Sequence, residues 1–184
     1  METLDLETIR RATQGDPEAF AGIYRVYSRM VYGVALRMTG RPEEAEDVTQ
    51  EVFVRVYRSL RWFAGRSSLK TWIYRIAINQ SLSQIRRRSR RKEAVLAPEM
   101  DVPDPAGGTR EQVVEAETLG RLTRSLEAVD PVFRSCLILR AQEGMSYEEI
   151  ARTLGIPVNT VRTRIRRGRE QALAAYRREA DHDM

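Results

Sequence analysis

The chain has 184 residues, of which 42% are hydrophobic and 31% charged, so it can form one ordinary globular domain or two small ones. Its formal net charge of +5 favours an anionic partner. A single cysteine, Cys136, excludes an internal disulfide, and a single histidine, His182, excludes a Ser-His or Cys-His catalytic relay.

No targeting or cofactor signal stands out along the chain. The first residues carry acids where a signal peptide would have its basic region, and no apolar run reaches bilayer length. The sequence also contains no recognisable metal-ligand spacing and no phosphate-binding loop motif. The sequence therefore predicts a cytoplasmic, non-enzymatic protein without membrane insertion, and with no catalytic residue, metal or cofactor.

The first predicted unit, residues 1–92, is helical. Asp16 begins one helix as its N-cap, and Gly40 ends it. A second helix begins at Pro42, and a third is predicted from about Ser68 to Arg88. The apolar stripe of the second helix consists of Ala45, Val48, Val52, Val56 and Leu60.

A change in composition marks the boundary between two units. After the basic run RRRSRRK, residues 93–112 (EAVLAPEMDVPDPAGGTREQ) contain three prolines, two adjacent glycines and five acids against one arginine. Such a stretch cannot bury enough apolar area to fold alone, so we interpret it as an acidic, flexible linker.

The second predicted unit, residues 113–184, contains a helix-turn-helix. Ser146 and Glu149 fit a capping box, and Gly155 allows the sharp turn between the two helices. The predicted fold class is therefore all-α, with two small helical domains joined by a flexible linker. Four helices are predicted here: Gln112–Ala128, Pro131–Gln142, Ser146–Leu154 and Pro157–Arg177. The first of them begins one residue before the second unit.

The last predicted helix carries five arginines within eight residues, from Arg162 to Arg169. Arginine pairs with guanine bidentately and also binds phosphate, so the face away from Val161 and Ile165 suits a major groove. An amphipathic helix with a solvated basic face is the alternative. The predicted base-reading set is Asn159, Thr160, Arg162, Thr163, Arg166 and Arg167, with Arg164 and Arg169 expected at flanking phosphates.

Four segments, in order, resemble bacterial RNA polymerase sigma factors of the extracytoplasmic-function type. They are GDPEAFAGIY, AEDVTQEVFVRVY, FAGRSSLKTWIYRIAIN and SYEEIARTLGIPVNTVRTRIRRGRE. The resemblance implies a transcription initiation factor that binds core polymerase, through the clamp helices of the beta-prime subunit and through the beta subunit. It also implies recognition of minus-ten and minus-thirty-five promoter DNA and help with melting. An anti-sigma factor is a further partner common in the family, although no motif here marks one.

The resemblance assigns polymerase docking to the second helix. Asp47, Gln50 and Glu51 match the family's docking positions, and helical spacing places them opposite the apolar stripe. The alternative is that these acids only complement the helix dipole.

The resemblance assigns the minus-ten element to the segment RWFAGRSSLKTWIYRIAIN. The basic run RRRSRRK after it is expected to make non-specific phosphate contacts, and a solvated helix end is the alternative. Aromatic rings beside basic side chains suit a single-stranded DNA platform, and the loop from Phe63 to Leu69 is expected to capture a flipped base. The alternative is that the aromatic residues are core, above all Trp72. The expected contacts are Phe63, Ser67, Lys70, Trp72, Arg75, Asn79, Arg86 and Arg87.

Two other classes of protein would use parts of the same pattern. A stand-alone helix-turn-helix repressor would use the second unit but leaves the acidic helix unexplained. An adaptor that binds polymerase or RNA without reading a promoter would need neither the arginine face nor Asn79.

Overall fold

The computed structural model describes residues 4–94 and 124–182. Every regular element within these two ranges is helical, which confirms the predicted all-α fold. A 3-10 turn, Leu60–Trp62, follows the third helix. In chain order the α-helices are α1 (Leu6–Thr13), α2 (Pro17–Thr39), α3 (Pro42–Ser59), α4 (Leu69–Ala94), α5 (Pro131–Ala141), α6 (Tyr147–Leu154) and α7 (Val158–His182).

The ends of α2 follow from its sequence. The Asp16 carboxylate accepts hydrogen bonds from the backbone N–H groups of Glu18 and Ala19, at 2.9 and 3.1 Å. The hydrogen bond from the Ala19 N–H contributes most to lowering the pKa of Asp16. The ion pair with Arg11 and the bond from the Glu18 N–H lower it further. At the other end, Gly40 takes a left-handed conformation with φ of +73°. Both predicted boundaries are confirmed.

The core of the first unit lies between α2, α3 and α4. The predicted stripe on α3 is confirmed, because none of its five residues is more than 2% exposed. From α2, Ile23, Val34 and Met38 are fully buried, and α4 contributes Ile73 and Ile78. This packing turns the opposite face of α3 to the surface.

Two helical segments differ from the prediction. Helix α1 is not predicted from the sequence, because its eight residues would be marginal as an isolated helix. In addition, α4 continues to Ala94 instead of ending near Arg88. Arginine, lysine, glutamate and alanine are good helix formers, so the basic run extends the helix. Residues 95–112 of the predicted linker, and the predicted helix Gln112–Ala128 before residue 124, lie outside the described residues.

The helix-turn-helix forms as predicted. The Ser146 hydroxyl accepts from the Glu149 N–H at 3.1 Å, while the Glu149 carboxylate accepts from the Ser146 N–H at 2.7 Å. Gly155, with φ of +67°, ends α6. Val161 and Ile165 of α7 are buried against α5 and α6.

The two units contact each other, since α5 packs on α2 and both α5 and α6 pack on α4. The buried Arg134 donates hydrogen bonds to the backbone carbonyls of Met38 in the first unit and of Val129 in its own. The Tyr74 hydroxyl of α4 donates to the carboxylate of Glu143, just after α5. Polar as well as apolar contacts therefore join the units.

None of the helices within the described ranges combines the length and the apolar character needed to span a bilayer.

Candidate interaction surfaces

A groove of about 660 Å³ runs along the exposed face of α3. Asp47 and Gln50 are exposed there, and Glu51 is partly buried, so the groove brings the three predicted docking residues together. The groove is lined by Asp47, Gln50, Glu51, Val54, Arg55, Arg58, Ser59, Trp62 and Gln80.

Glu51 is held in place by α4. Its carboxylate accepts a hydrogen bond from the side-chain amide of Gln80 and forms an ion pair with Arg87 at 2.8 Å. Arg87 is predicted to contact minus-ten DNA and Glu51 to contact polymerase. The ion pair therefore joins residues of the two predicted interaction surfaces. Both side chains are about 40% exposed, so the pair is weak and exchangeable.

The predicted minus-ten loop has a mixed environment. Phe63 and Trp72 are each partly buried, with ring centroids 5.3 Å apart, so both rings contribute to packing as well as to the surface. Ser67 is exposed. Lys70 is partly buried, and its ammonium lies 5.6 Å from the centroid of the Tyr74 ring.

The remaining predicted minus-ten residues lie on the exposed side of α4. Arg75, Asn79, Arg86 and Arg87 are all exposed, and the first three share one helical face with Trp72. Arg88 in the same basic run has a structural role, because its guanidinium donates to the carbonyl oxygen of Thr39 at 3.2 Å and pairs with Glu44.

The predicted minus-thirty-five residues form a continuous exposed strip on α7. Thr160 is partly buried, and the other five are exposed. Arg162 donates to the side-chain oxygen of Asn159 at 3.1 Å, and Arg166 to Glu170 at 2.9 Å. Arg169 is exposed, as predicted for a phosphate contact.

Arg164, predicted at a flanking phosphate, is partly buried and close to the Cys136 thiol. Its position lies on the same helix face as Val161 and Gly168, which are both buried. Burial raises the pKa of Cys136, and Arg164 opposes that shift. The thiol is fully buried, which makes it a core residue as predicted.

The sequence leaves open whether Trp62 and Tyr74 belong to the core. Trp62 is 65% exposed at the edge of the groove, whereas Phe63 and Trp72 are partly buried. Tyr74 is fully buried under the second unit, and burial, followed by its hydrogen bond to Glu143, raises its pKa. An exposed tryptophan and a buried tyrosine have no distinct pattern in the sequence.

Among the described residues, no group of three or more His, Cys, Asp or Glu side chains is placed to hold a metal ion.

Two family models match the chain. Sigma-70 region 2 matches residues 23–91, and Sigma-70 region 4 matches residues 119–171. The first match contains α3 with the groove and most of α4; the second contains the helix-turn-helix.

Curated relatives are similar over most of the chain. The RNA polymerase sigma-H factor of Pseudomonas aeruginosa is 35% identical, over 96% of this chain and 97% of its own length. The ECF RNA polymerase sigma factor SigW of Bacillus subtilis is 31% identical, over 92% and 95%. The ECF RNA polymerase sigma factor SigE of Mycolicibacterium smegmatis is 38% identical, but the match spans only 58% of that longer protein and 81% of this one.

Solved structures share the fold. CnrH, in complex with the cytosolic domain of CnrY, has a TM-score of 0.67 and 24% identity, covering 96% of this chain and 97% of that one. The sigma factor RpoE, in complex with the anti-sigma factor NepR from Bartonella quintana, has a TM-score of 0.66 and 22% identity, covering 86% and 96%.

Proposed function

The chain belongs to the extracytoplasmic-function RNA polymerase sigma factors of the sigma-70 family, transcription initiation factors that direct polymerase to promoters, and we propose which of its surfaces performs each step. Sigma factors are not themselves catalysts. The work of this chain is therefore binding, and its surfaces can be assigned from charge, exposure and position.

The groove on α3 is the proposed docking site for the clamp helices of the beta-prime subunit. Asp47 and Glu51 lie at one end of it, and Arg55 and Arg58 lie further along the same helix. A partner helix with basic residues at one end and acidic residues at the other would complement this arrangement. The groove is the observation that carries the proposal, because it joins all three predicted docking residues in one concave surface.

The proposed minus-ten surface is the exposed side of α4 with the preceding loop. Arg75, Asn79 and Arg86 would bind backbone and bases of the opened strand, and Phe63 and Trp72 offer ring edges beside them. The ion pair between Glu51 and Arg87 lies between this surface and the docking groove. A polymerase group that takes over Glu51 would release Arg87 for phosphate contact.

The proposed minus-thirty-five surface is the arginine strip of α7. Its side chains are exposed at steps of three and four residues, which suits a helix lying in the major groove. Contacts between the chain and the beta subunit, and binding of an anti-sigma factor, are further proposals. Family membership supports both proposals. Anti-sigma binding is also supported by the structure of RpoE, which was solved with the anti-sigma factor NepR. The cytoplasm is the proposed compartment, since polymerase and promoter DNA are there.

Reading both elements at once requires the two units to separate. The elements are ~25 base pairs apart, which is about 85 Å of duplex at about 3.4 Å per base pair. A compact protein of this length has a radius of gyration of only about 16 Å.

A charge reversal in the groove tests the docking assignment. Replacing Asp47 by Arg should weaken binding of fluorescently labelled chain to core polymerase by about 30-fold, or about 2 kcal/mol, because a close charge pair becomes repulsive. Glu46→Arg is the matched control, since Glu46 is exposed on the same helix but does not line the groove. Equal affinities of the two variants for core polymerase would refute the docking assignment.

A further inference from the structure

Trp62 is the one feature of the groove that the docking assignment leaves unexplained. It ends the 3-10 turn after α3 and is 65% exposed. Burying a side chain of this size in the protein would favour folding, so leaving it in water forgoes stabilisation. Within the described residues, only Leu6 is a more exposed large apolar side chain.

The backbone around Trp62 holds this exposed position. Leu60, two residues earlier, is buried and fixes the turn to the core. The Phe63 N–H donates to the Leu60 carbonyl at 2.9 Å, which closes the turn. Phe63 then packs towards Trp72, so consecutive aromatic side chains are directed to different environments. The fold therefore presents the Trp62 ring at the surface in a defined place.

One face of the ring is already occupied by charge. The guanidinium carbon of Arg61 lies 3.8 Å from the ring centroid, a cation–π contact that limits how the side chain can move. On the groove side, Trp62 shares the concave surface with Val54, which is 50% exposed. Val54 and Trp62 are the two apolar side chains of a groove that is otherwise lined by polar and charged residues.

We propose that Trp62 is the apolar anchor of the polymerase-docking groove, seating an aliphatic or aromatic side chain of the partner helix against Trp62 and Val54. This proposal rests on the docking function assigned to α3. Tryptophan is among the residues most often dominant in protein interfaces, typically at positions surrounded by polar groups that exclude water. Arg58, Ser59 and Arg61 supply such a rim here.

Position in the groove favours polymerase over DNA as the partner of this ring. Trp62 lines the same concave surface as Asp47 and Glu51, the predicted docking residues. The aromatic pair assigned to the minus-ten strand is Phe63 with Trp72, whose ring centroids are 5.3 Å apart. The neighbouring Arg61 could serve an acidic partner residue or a phosphate. Stacking of a single-stranded base on Trp62 is the competing outcome that the experiment must separate.

The experiment measures two affinities for each variant: that of the full chain for core polymerase, and that of the resulting holoenzyme for a single-stranded minus-ten oligonucleotide. Trp62→Ala should weaken core binding by about 30-fold, whereas Trp62→Phe, which keeps an aromatic ring, should weaken it by less than about fivefold. At saturating core, oligonucleotide binding should be unchanged. Leu6→Ala is the control for loss of an exposed apolar side chain outside the groove.

The outcomes separate this proposal from the docking function itself. Normal core affinity of Trp62→Ala, with Asp47→Arg still defective, would overturn the anchor and leave docking on α3 intact. Normal core affinity together with lost oligonucleotide binding would overturn it in favour of DNA stacking. If Asp47→Arg also bound normally, the docking assignment itself would be wrong. A photo-crosslinking residue at position 62 gives a second test, in which crosslinks to the large polymerase subunits support the anchor and crosslinks only to DNA contradict it.

Discussion

Arg162 and Arg166 on α7 are free to exchange their present partners for DNA. Their bonds to Asn159 and Glu170 lie on the exposed helix surface and join residues three and four positions apart. Exposed pairs of this kind contribute little, about 0–1 kcal/mol, so a base edge or a phosphate can replace them at low cost. Asn159 and Glu170 therefore hold Arg162 and Arg166 in defined positions, and these weak bonds can be replaced when DNA binds.

The arginines of α7 should divide into base-reading and phosphate-binding residues. Arg162→Ala or Arg166→Ala should cost about 1–3 kcal/mol and relax preference at particular minus-thirty-five base pairs. Arg169→Ala should weaken binding to all sequences alike and lower the slope of affinity against salt by about one unit. The measurement is holoenzyme affinity for cognate and substituted promoters across a salt series. Identical losses for all three variants on every sequence would mean that α7 binds DNA by charge alone.

At the scale of single elements, the capping box of α6 is a strong local signal with a measurable effect. Ser146→Ala removes the acceptor for the Glu149 N–H and should lower the free energy of unfolding of the second unit by about 1 kcal/mol. Urea unfolding followed by circular dichroism measures this. Ser89→Ala, an exposed change inside α4, is the control and should be neutral or slightly stabilising, since alanine is the better helix former. Equal midpoints for the two variants would show that the cap does not limit stability.

Features decided within a few residues could be predicted from the sequence, whereas features that depend on packing between distant segments could not. Caps at Asp16 and Ser146 and the left-handed glycines at 40 and 155 are decided within a few residues, so the helix boundaries there were predictable. The exposed strip on α7 followed from helical periodicity. The exposure of Trp62 and the burial of Tyr74 depend on how α1, α4 and the second unit pack, and no local pattern encodes that. The ion pair between Glu51 and Arg87 joins residues 36 positions apart, so it could not be predicted from local sequence either.

At the scale of the whole molecule, the contact between the two units brings one proposed minus-ten residue beside the helix-turn-helix. Arg75, a proposed minus-ten contact, lies so close to the helix-turn-helix that a Cβ atom built on Gly155 would be 3.1 Å from its guanidinium. Tyr74 and Arg37 both contact Glu143, the latter at 3.8 Å. The contact between the units therefore restricts Arg75, while Asn79, Arg86 and Arg87 stay exposed, and we expect the units to separate on the promoter.

Weakening this contact should favour separation. Tyr74→Phe removes a hydrogen bond to a carboxylate, which typically contributes about 1 kcal/mol or more, so the separated fraction should rise about fivefold. Energy transfer between dyes attached at positions 6 and 176, both exposed, would report it. Tyr57→Phe is the control, because Tyr57 is 55% exposed on α3. If Tyr74→Phe and Tyr57→Phe gave the same transfer efficiency, the Tyr74–Glu143 bond would have no part in holding the units together.

We expect this chain to direct polymerase to promoters by reading two separated DNA elements. Run-off transcription by core polymerase plus the purified chain, on a library with randomised upstream DNA, tests it most directly. We predict that sequencing the transcribed templates will reveal two enriched blocks, near minus-ten and minus-thirty-five, at a fixed spacing, and that the upstream block will weaken selectively with Arg162→Ala. Transcription no greater than that of core polymerase alone, or templates without any enriched block, would contradict the claim.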